Sequence, residues 1–356
     1  MTVGFFSPLP PARTGVADYS AKLLEALGKL CDVRVGDRKA DICLYQVGNN
    51  PLHLDIYRQA LARPGVVVLH DAVLHHFLLG SLDRQTYIEE FVYNYGEFER
   101  GLAAQLWEAR RRSGQDPRYF DRPLVRRIAE AARAVVVHNP AAARIVREHA
   151  PQARVVEIPH LFAPPGPPRA WTPGPPDAFL FGVFGHLRAS KRIPTILRAF
   201  NRIRGAGARL LVAGDFVAPD LESALAPMLD APGVIRVPYV SEPEFQALAA
   251  AVDAGISLHN PSAGETSGIA IRLMGIGKPV LVSAGEEVAR FPDDAVIRID
   301  RGLAEEPLLV EYMMWLVKHP EKARQIGARA AAHIAAHHSP DLVARLYFEL
   351  LCSCCR

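Results

Sequence analysis

Short apolar runs alternate with stretches of helical periodicity along most of the chain. Residues 3–7 read as a first strand, followed by a loop over 8–15. Residues 17–30 then carry Leu23, Leu24, Leu27 and Leu30 at helical spacing. Further β-like runs cover 33–35, 42–46, 66–69, 134–138 and 154–158. Strands separated by helices predict a parallel sheet with right-handed crossovers. The stretch 73–132 interrupts this rhythm. It reads as a long helical stretch, an added helical subdomain rich in aromatics (Phe77, Tyr87, Phe91, Tyr93, Tyr95, Phe98, Trp107) and in arginines from Arg110 to Arg133.

Residues 163–177, APPGPPRAWTPGPPD, punctuate the chain, since proline propagates neither helix nor central strand. Beyond them the alternation restarts, with strands over 179–184, 209–213, 234–237, 254–258, 280–282 and 295–299 and helices over 193–203, 307–319, 320–337 and 341–351. The pattern predicts an α/β protein with an N-terminal Rossmann-like domain over 1–162 that carries the insertion. A proline-rich linker over 163–177, a C-terminal domain over 178–338 and a last helix over 339–356 complete it.

Composition narrows the classes. The 356 residues exceed one ordinary core, and 49% apolar with 22% charged residues is usual for a globular protein. A net charge of +3 gives no case for nucleic acid. No apolar run reaches the roughly 20 residues of a membrane span. MTVGFFSPLP lacks the basic start and apolar core of a signal peptide, so a cytoplasmic protein is expected. The terminal CSCCR fits neither a metal knuckle nor a prenylation box, and reads as a frayed tail of reduced thiols.

Four segments carry candidate chemistry. In PLPPARTGVADYS, Gly15 lies between a strand and a helix start, where a ligand can approach backbone and an anion finds open N–H groups; a plain turn accounts for it equally. In VVVLHDAVLHH, His70 ends an apolar strand and either bonds a sugar hydroxyl or caps the strand. His75 and His76 follow, without the convergent partners a zinc site needs. In GVFGHLRASKRIPTILRAF, Arg188, Lys191 and Arg192 cluster at a strand-to-helix turn that suits a diphosphate or is simply solvated. In NPSAGETSGIAIRLMGIGKPVLVS, Thr266, Ser267 and Gly268 open a helix towards a pyrophosphate, with Glu265 as a hydroxyl acceptor; Ser and Gly as helix caps is the other reading.

The last two segments together resemble glycosyltransferase family 4, retaining enzymes of the GT-B fold, and the resemblance runs over essentially the whole chain, strongest from Gly182 to Ser283. It implies two Rossmann-like domains facing a cleft, with the final helix crossing back to the N-terminal domain. Lys191 matches the phosphate-contacting lysine. His186 stands where an arginine is usual, and Arg188, two residues on, is a candidate substitute. Glu265 resembles the first glutamate of a two-glutamate motif, Ser267, Gly268 and Ile269 the amides on the diphosphate, His70 the reaction-centre histidine and Gly15 the loop glycine. The second glutamate, which holds the ribose, is missing; Arg272 stands nearest its position and cannot accept a hydroxyl proton. Residues 238–244, with Tyr239 and Val240, resemble the loop that reads the base.

The resemblance implies sugar transfer with retention from a nucleoside diphosphate sugar to a glycan or lipid-linked acceptor. No D-x-D triplet occurs, so no metal cofactor is expected. The insertion is a candidate acceptor surface with peripheral contact at the inner membrane face, or a helical subdomain with an aromatic core. A sugar-nucleotide 2-epimerase and a non-catalytic sugar-nucleotide-binding protein share the architecture. A dinucleotide oxidoreductase is disfavoured, because neither half shows G-x-G-x-x-G after its first strand.

Overall fold

The computed structural model describes residues 1–166, 171 and 178–355, so most of the expected linker, 167–170 and 172–177, lies outside the described residues. The chain divides into two compact units. Unit 1 comprises Met1–Leu161, Pro261–Thr266 and His338–Arg356, and unit 2 comprises Phe162–Asn260 and Ser267–His337.

Unit 1 is built on a parallel sheet of β1 (Thr2–Phe6), β2 (Asp32–Val35), β3 (Ile42–Val47), β4 (Val66–Leu69), β5 (Ala134–Val137) and β6 (Val155–Glu157), in the order β2-β1-β3-β4-β5-β6. Strands β3, β4 and β5 are buried along their whole length, which explains why they are apolar at every position but Gln46: helices cover both faces. Its helices include α1 (Gly15–Leu27), α2 (Leu54–Ala62), α3 (His75–Ser81), α4 (Arg84–Tyr95), α5 (Arg100–Ala109), α6 (Arg126–Ala131) and α7 (Pro140–His149).

The insertion comprises the series α3 to α6. Asp83 caps the start of α4, and Gly96 at φ 96° stops it, a conformation that removes the chain from the helix without a Cβ clash. Tyr87, Phe91, Leu106 and Tyr119 are buried together, while Arg110, Arg111 and Arg112 are exposed. Arg127 and Arg126 pair with Glu90 and Glu130 at 2.5 and 2.8 Å. This segment is therefore a helical subdomain with an aromatic core and a charged outer face.

Unit 2 repeats the layering with β7 (Phe179–Phe184), β8 (Ala208–Ala213), β9 (Val234–Val237), β10 (Ala254–Ser257), β11 (Val280–Ser283) and β12 (Ile297–Ile299), all parallel, in the order β12-β11-β10-β7-β8-β9. Its helices are α8 (Ile193–Ile203), α9 (Pro219–Leu229), α10 (Glu242–Ala251), α11 (Gly268–Gly275), α12 (Glu305–Lys318) and α13 (Pro320–His337). Helix α8 buries Ile193, Ile196, Leu197, Phe200 and Ile203 on the sheet.

The last helix, α14 (Pro340–Cys354), packs in unit 1. Its Tyr347 hydroxyl meets that of Tyr19 on α1 at 2.9 Å, both rings being buried. The tail does not fray as the sequence suggested. Helix α14 continues through Cys354, which is buried and whose carbonyl accepts from Arg133 Nη1 at 2.7 Å.

Candidate functional sites in the two units

Open α/β sheets bind ligands at the carboxyl ends of their strands, where the strand order reverses. In unit 2 that point lies between β7 and β10. Gly185 (φ 90°) follows β7, and the loop continues through His186 and Arg188, both exposed, into a short turn over Ala189–Lys191. Lys191 folds back over the strand end, its Nζ donating to Phe184 O at 2.8 Å. A Cβ at Gly185 would lie 3.0 Å from that Nζ and 3.7 Å from Ile269 Cγ1. The amine and the first turn of α11 therefore meet at Gly185, where a side chain would intrude.

Helix α11 is capped by Ser267, whose Oγ accepts from Ala270 N at 3.2 Å and bonds Ser257 Oγ at 2.8 Å. The cap satisfies one first-turn donor; Gly268 and Ile269 have no intrahelical acceptor for theirs. Arg192 takes a left-handed conformation (φ 60°) just before α8 and donates to the buried Glu305 at 2.6 Å, which fixes the turn that carries Lys191.

The expected nucleoside residues border the same strand end, where Asp215 O accepts from Leu187 N at 2.8 Å and Phe245 packs on Phe184. Tyr239 and Val240 follow β9; Tyr239 N donates to Asp215 Oδ1 at 2.9 Å, and its ring is largely exposed. Arg272 stacks 3.7 Å over Phe245 and donates to Glu242 at the start of α10. The positive charge where a glutamate was missing is thus matched by a carboxylate that sequence reading overlooked. Beside it opens a cavity of about 390 Å³ lined by Phe245, Arg272 and Lys278, among others.

In unit 1 the strand order reverses between β1 and β3. Gly15 opens α1 behind the cap Thr14, and nothing lies within 4 Å of where its Cβ would be. Packing does not demand a glycine there. His70 follows β4; its N–H donates to Val47 O at 2.9 Å, and its Nε2 bonds Gln46 Oε1 at 2.8 Å. It therefore does cap the strand end, and its ring is also part of a cluster. Tyr19 lies edge-on to it with centroids 4.8 Å apart, His138 is 5.1 Å away, and His160 is 4.8 Å from Tyr19. Burial, then the neighbouring His138, His160 and His53, push His70 well below the ordinary histidine range. Burial likewise lowers His138 and His53 to about 4.

Glu265 and Thr266 cluster with unit 1, not with the C-terminal domain expected over 178–338. The reason is backbone pairing: Ala72 N and Val73 N donate to Ala263 O at 2.9 and 3.0 Å. Asn139, the cap of α7, adds bonds to Gly264 O and Thr266 Oγ1 at 3.0 and 2.9 Å. Glu265 Oε2 accepts from Ala263 N at 2.6 Å and from Ser262 Oγ at 3.1 Å, which holds the loop in shape. Unit 1 thus gathers the start of α1, His70 and the Glu265 loop. His75 is committed elsewhere, to Arg122 O at 2.8 Å and Tyr87 Oη at 2.7 Å.

Tyr19, Gln46, His53, His138, Asn139 and His160 were not singled out from sequence. A signal existed for His138: VVVHNP repeats the pattern of VVVLHD, an apolar strand ending in histidine.

Among solved structures, HepE from Anabaena in complex with UDP-glucose is similar over 99% of this chain and 100% of its own, at 14% identity and a TM-score of 0.67. Sucrose-phosphate synthase from Thermosynechococcus elongatus gives 99%, 100%, 15% and 0.62. WaaG, a glycosyltransferase involved in lipopolysaccharide biosynthesis, gives 97%, 99%, 13% and 0.58. The fold is GT-B. No family model and no curated protein matches the sequence. Among the described residues no helix is long and apolar enough to cross a membrane.

Proposed function

We propose that this chain is a retaining glycosyltransferase that moves a sugar from a nucleoside diphosphate sugar to a hydroxyl of a glycan or lipid-linked acceptor. One observation carries the reading. At the strand-order reversal of unit 2, the Lys191 amine and the Ile269 side chain, in the first turn of α11, both lie beside Gly185, which has no side chain to block a ligand there. A pyrophosphate is the ligand such a site suits, because helix starts and lysines favour anions and glycine admits them. The whole-length likeness to a UDP-glucose complex and to a glycosyltransferase supports the same ligand class.

On this reading Lys191, the exposed Arg188 and the amides of Gly268 and Ile269 stabilise the leaving diphosphate, the kind of electrostatic assistance that is often the largest catalytic contribution. His70 and Glu265 address sugar hydroxyls. The acceptor hydroxyl attacks the face the diphosphate leaves and gives its proton to the departing diphosphate, with no covalent enzyme intermediate. No D-x-D triplet calls for a metal; lysine and helix dipole take the cation's part. Tyr239 and Val240 receive the base, and Glu242, held by Arg272, supplies a carboxylate near the ribose. The insertion is the acceptor side, with peripheral contact at a membrane face.

The test is to incubate the protein with a panel of nucleoside diphosphate sugars, with and without glycan and lipid-linked acceptors. Expected are release of the diphosphate and a glycoside of unchanged anomeric configuration by NMR, unaffected by chelator. Lys191→Ala should weaken donor binding about 10- to 100-fold, the worth of a charge-assisted hydrogen bond. A panel in which no donor is consumed or bound would sink the reading. Inversion at C2 without acceptor would make it an epimerase.

A further inference from the structure

Gln46 is a fully buried amide on β3, in a strand otherwise occupied by Ile42, Cys43, Leu44, Tyr45 and Val47. Among the described residues its side chain makes one hydrogen bond, its Oε1 accepting from His70 Nε2 at 2.8 Å, and its Nε2 is buried without a partner. Leaving an amide half satisfied in a sheet interior costs stability that a methionine or leucine of similar volume would not. The polar residue at this position therefore bears on the one group it touches.

A neutral imidazole has one N–H and one lone pair. A carbonyl oxygen beside Nε2 calls for the proton there, which leaves Nδ1 as the acceptor. Nδ1 makes no hydrogen bond among the described residues and is not among their buried unpaired atoms. The surroundings keep the ring neutral. Tyr19 faces it from α1 and His138 from the end of β5, while His160, beyond β6, and His53, in the turn before α2, act on it electrostatically. His160 is tied by its carbonyl to His338, before α14. The adjoining Asp71 accepts from Asn49 N at 2.8 Å. Burial and the neighbouring histidines all disfavour an imidazolium at His70.

We propose that Gln46 is a positioning residue for the transfer reaction: it locks His70 as the neutral tautomer protonated on Nε2, so that Nδ1 is held out to accept a hydrogen bond from a sugar hydroxyl. The proposal rests on the reading of His70 as a residue of the transfer site.

Two variants of the full chain test it. Gln46→Met removes the amide at similar size, and Gln46→Glu puts a carboxylate against Nε2. Nitrogen-15 NMR of His70 at neutral pH should find Nε2 protonated and Nδ1 bare in the parent protein, and a mixture in Gln46→Met. In steady-state kinetics Gln46→Met should lower kcat roughly 10- to 100-fold, the usual loss when a group that orients a functional histidine is removed, with donor KM little changed. Gln46→Glu should raise the His70 pKa and add an acid limb near neutrality that the parent profile lacks. Should Gln46→Met fail to fold, Gln46→Glu carries the same test.

An Nδ1-protonated ring in the parent protein overturns the proposal, and so does a Gln46→Glu profile without a new limb. If the parent protein shows Nε2–H yet consumes no nucleotide sugar, the transferase reading falls while the tautomer lock stands.

Discussion

Glu265 commits one carboxylate oxygen to its own loop, accepting from Ala263 N and Ser262 Oγ, so an alanine there would confound structure with chemistry. Gln keeps an acceptor oxygen for both bonds and removes only the charge. Glu265→Gln is expected to unfold within a few degrees of the parent protein and to lose about 10-fold or more in turnover if the charge serves the reaction. Thermal denaturation and donor consumption, measured together, check it; unchanged turnover would make Glu265 a loop brace. Lys191 was legible as a candidate because cations cluster at its strand-to-helix turn, although that cluster alone fits a solvated turn as well as an anion site. Gln46 was not, since one polar residue in ICLYQV acquires meaning only from His70, 24 positions away. Glu242 escaped for a similar reason: its partner Arg272 lies 30 positions on.

At the level of elements, two glycines make opposite predictions. Gly15 has helical surroundings and open space, so Gly15→Ala should leave stability unchanged or raise it by about 0.4–1 kcal/mol, through the unfolded chain. If a ligand approaches the start of α1, activity falls while stability does not, and a variant with full activity would remove Gly15 from the site. Gly264 is left-handed (φ 72°), and a Cβ there would meet Ala72 Cβ at 2.9 Å and Ile145 Cδ1 at 3.1 Å. Gly264→Ala should cost roughly 1–3 kcal/mol in urea denaturation and disturb the Glu265 loop with it. The strands were readable because covered parallel strands are written as unbroken apolar runs. Helices α9 and α10 were passed over because each carries proline, at Pro219 and Pro227 in one and Pro243 in the other; Pro219 and Pro243 sit in the first turn, where proline is tolerated.

The whole molecule adds what no local pattern carries: strand order, which sets where each sheet can bind, and the meeting of distant histidines. The fold of unit 1 buries His53, His75 and His138 and half-buries His70, and desolvation lowers all four, to about 4 for His53 and His138 and about 3 for His75. A histidine near its ordinary value of about 6.5 when unfolded and lower when folded binds more protons in the unfolded chain. Its stabilising effect is complete above about pH 6.5 and is lost as pH falls towards the folded value, levelling off below it. For His53 and His138 the loss is on the order of 2–4 kcal/mol each, since a tenfold change in proton affinity is worth about 1.4 kcal/mol. In unit 2 a downward shift falls on His333, which is only half-buried. Acid should therefore unfold unit 1 ahead of unit 2. Trp107 reports on unit 1 and Trp315 on unit 2, so variants keeping one of these tryptophans, with the others changed to Phe, separate the two urea transitions. Between pH 7 and pH 4.5 the Trp107 midpoint should drop well beyond the Trp315 midpoint. Parallel shifts of the two would mean that the buried histidines of unit 1 are not what makes its stability depend on pH.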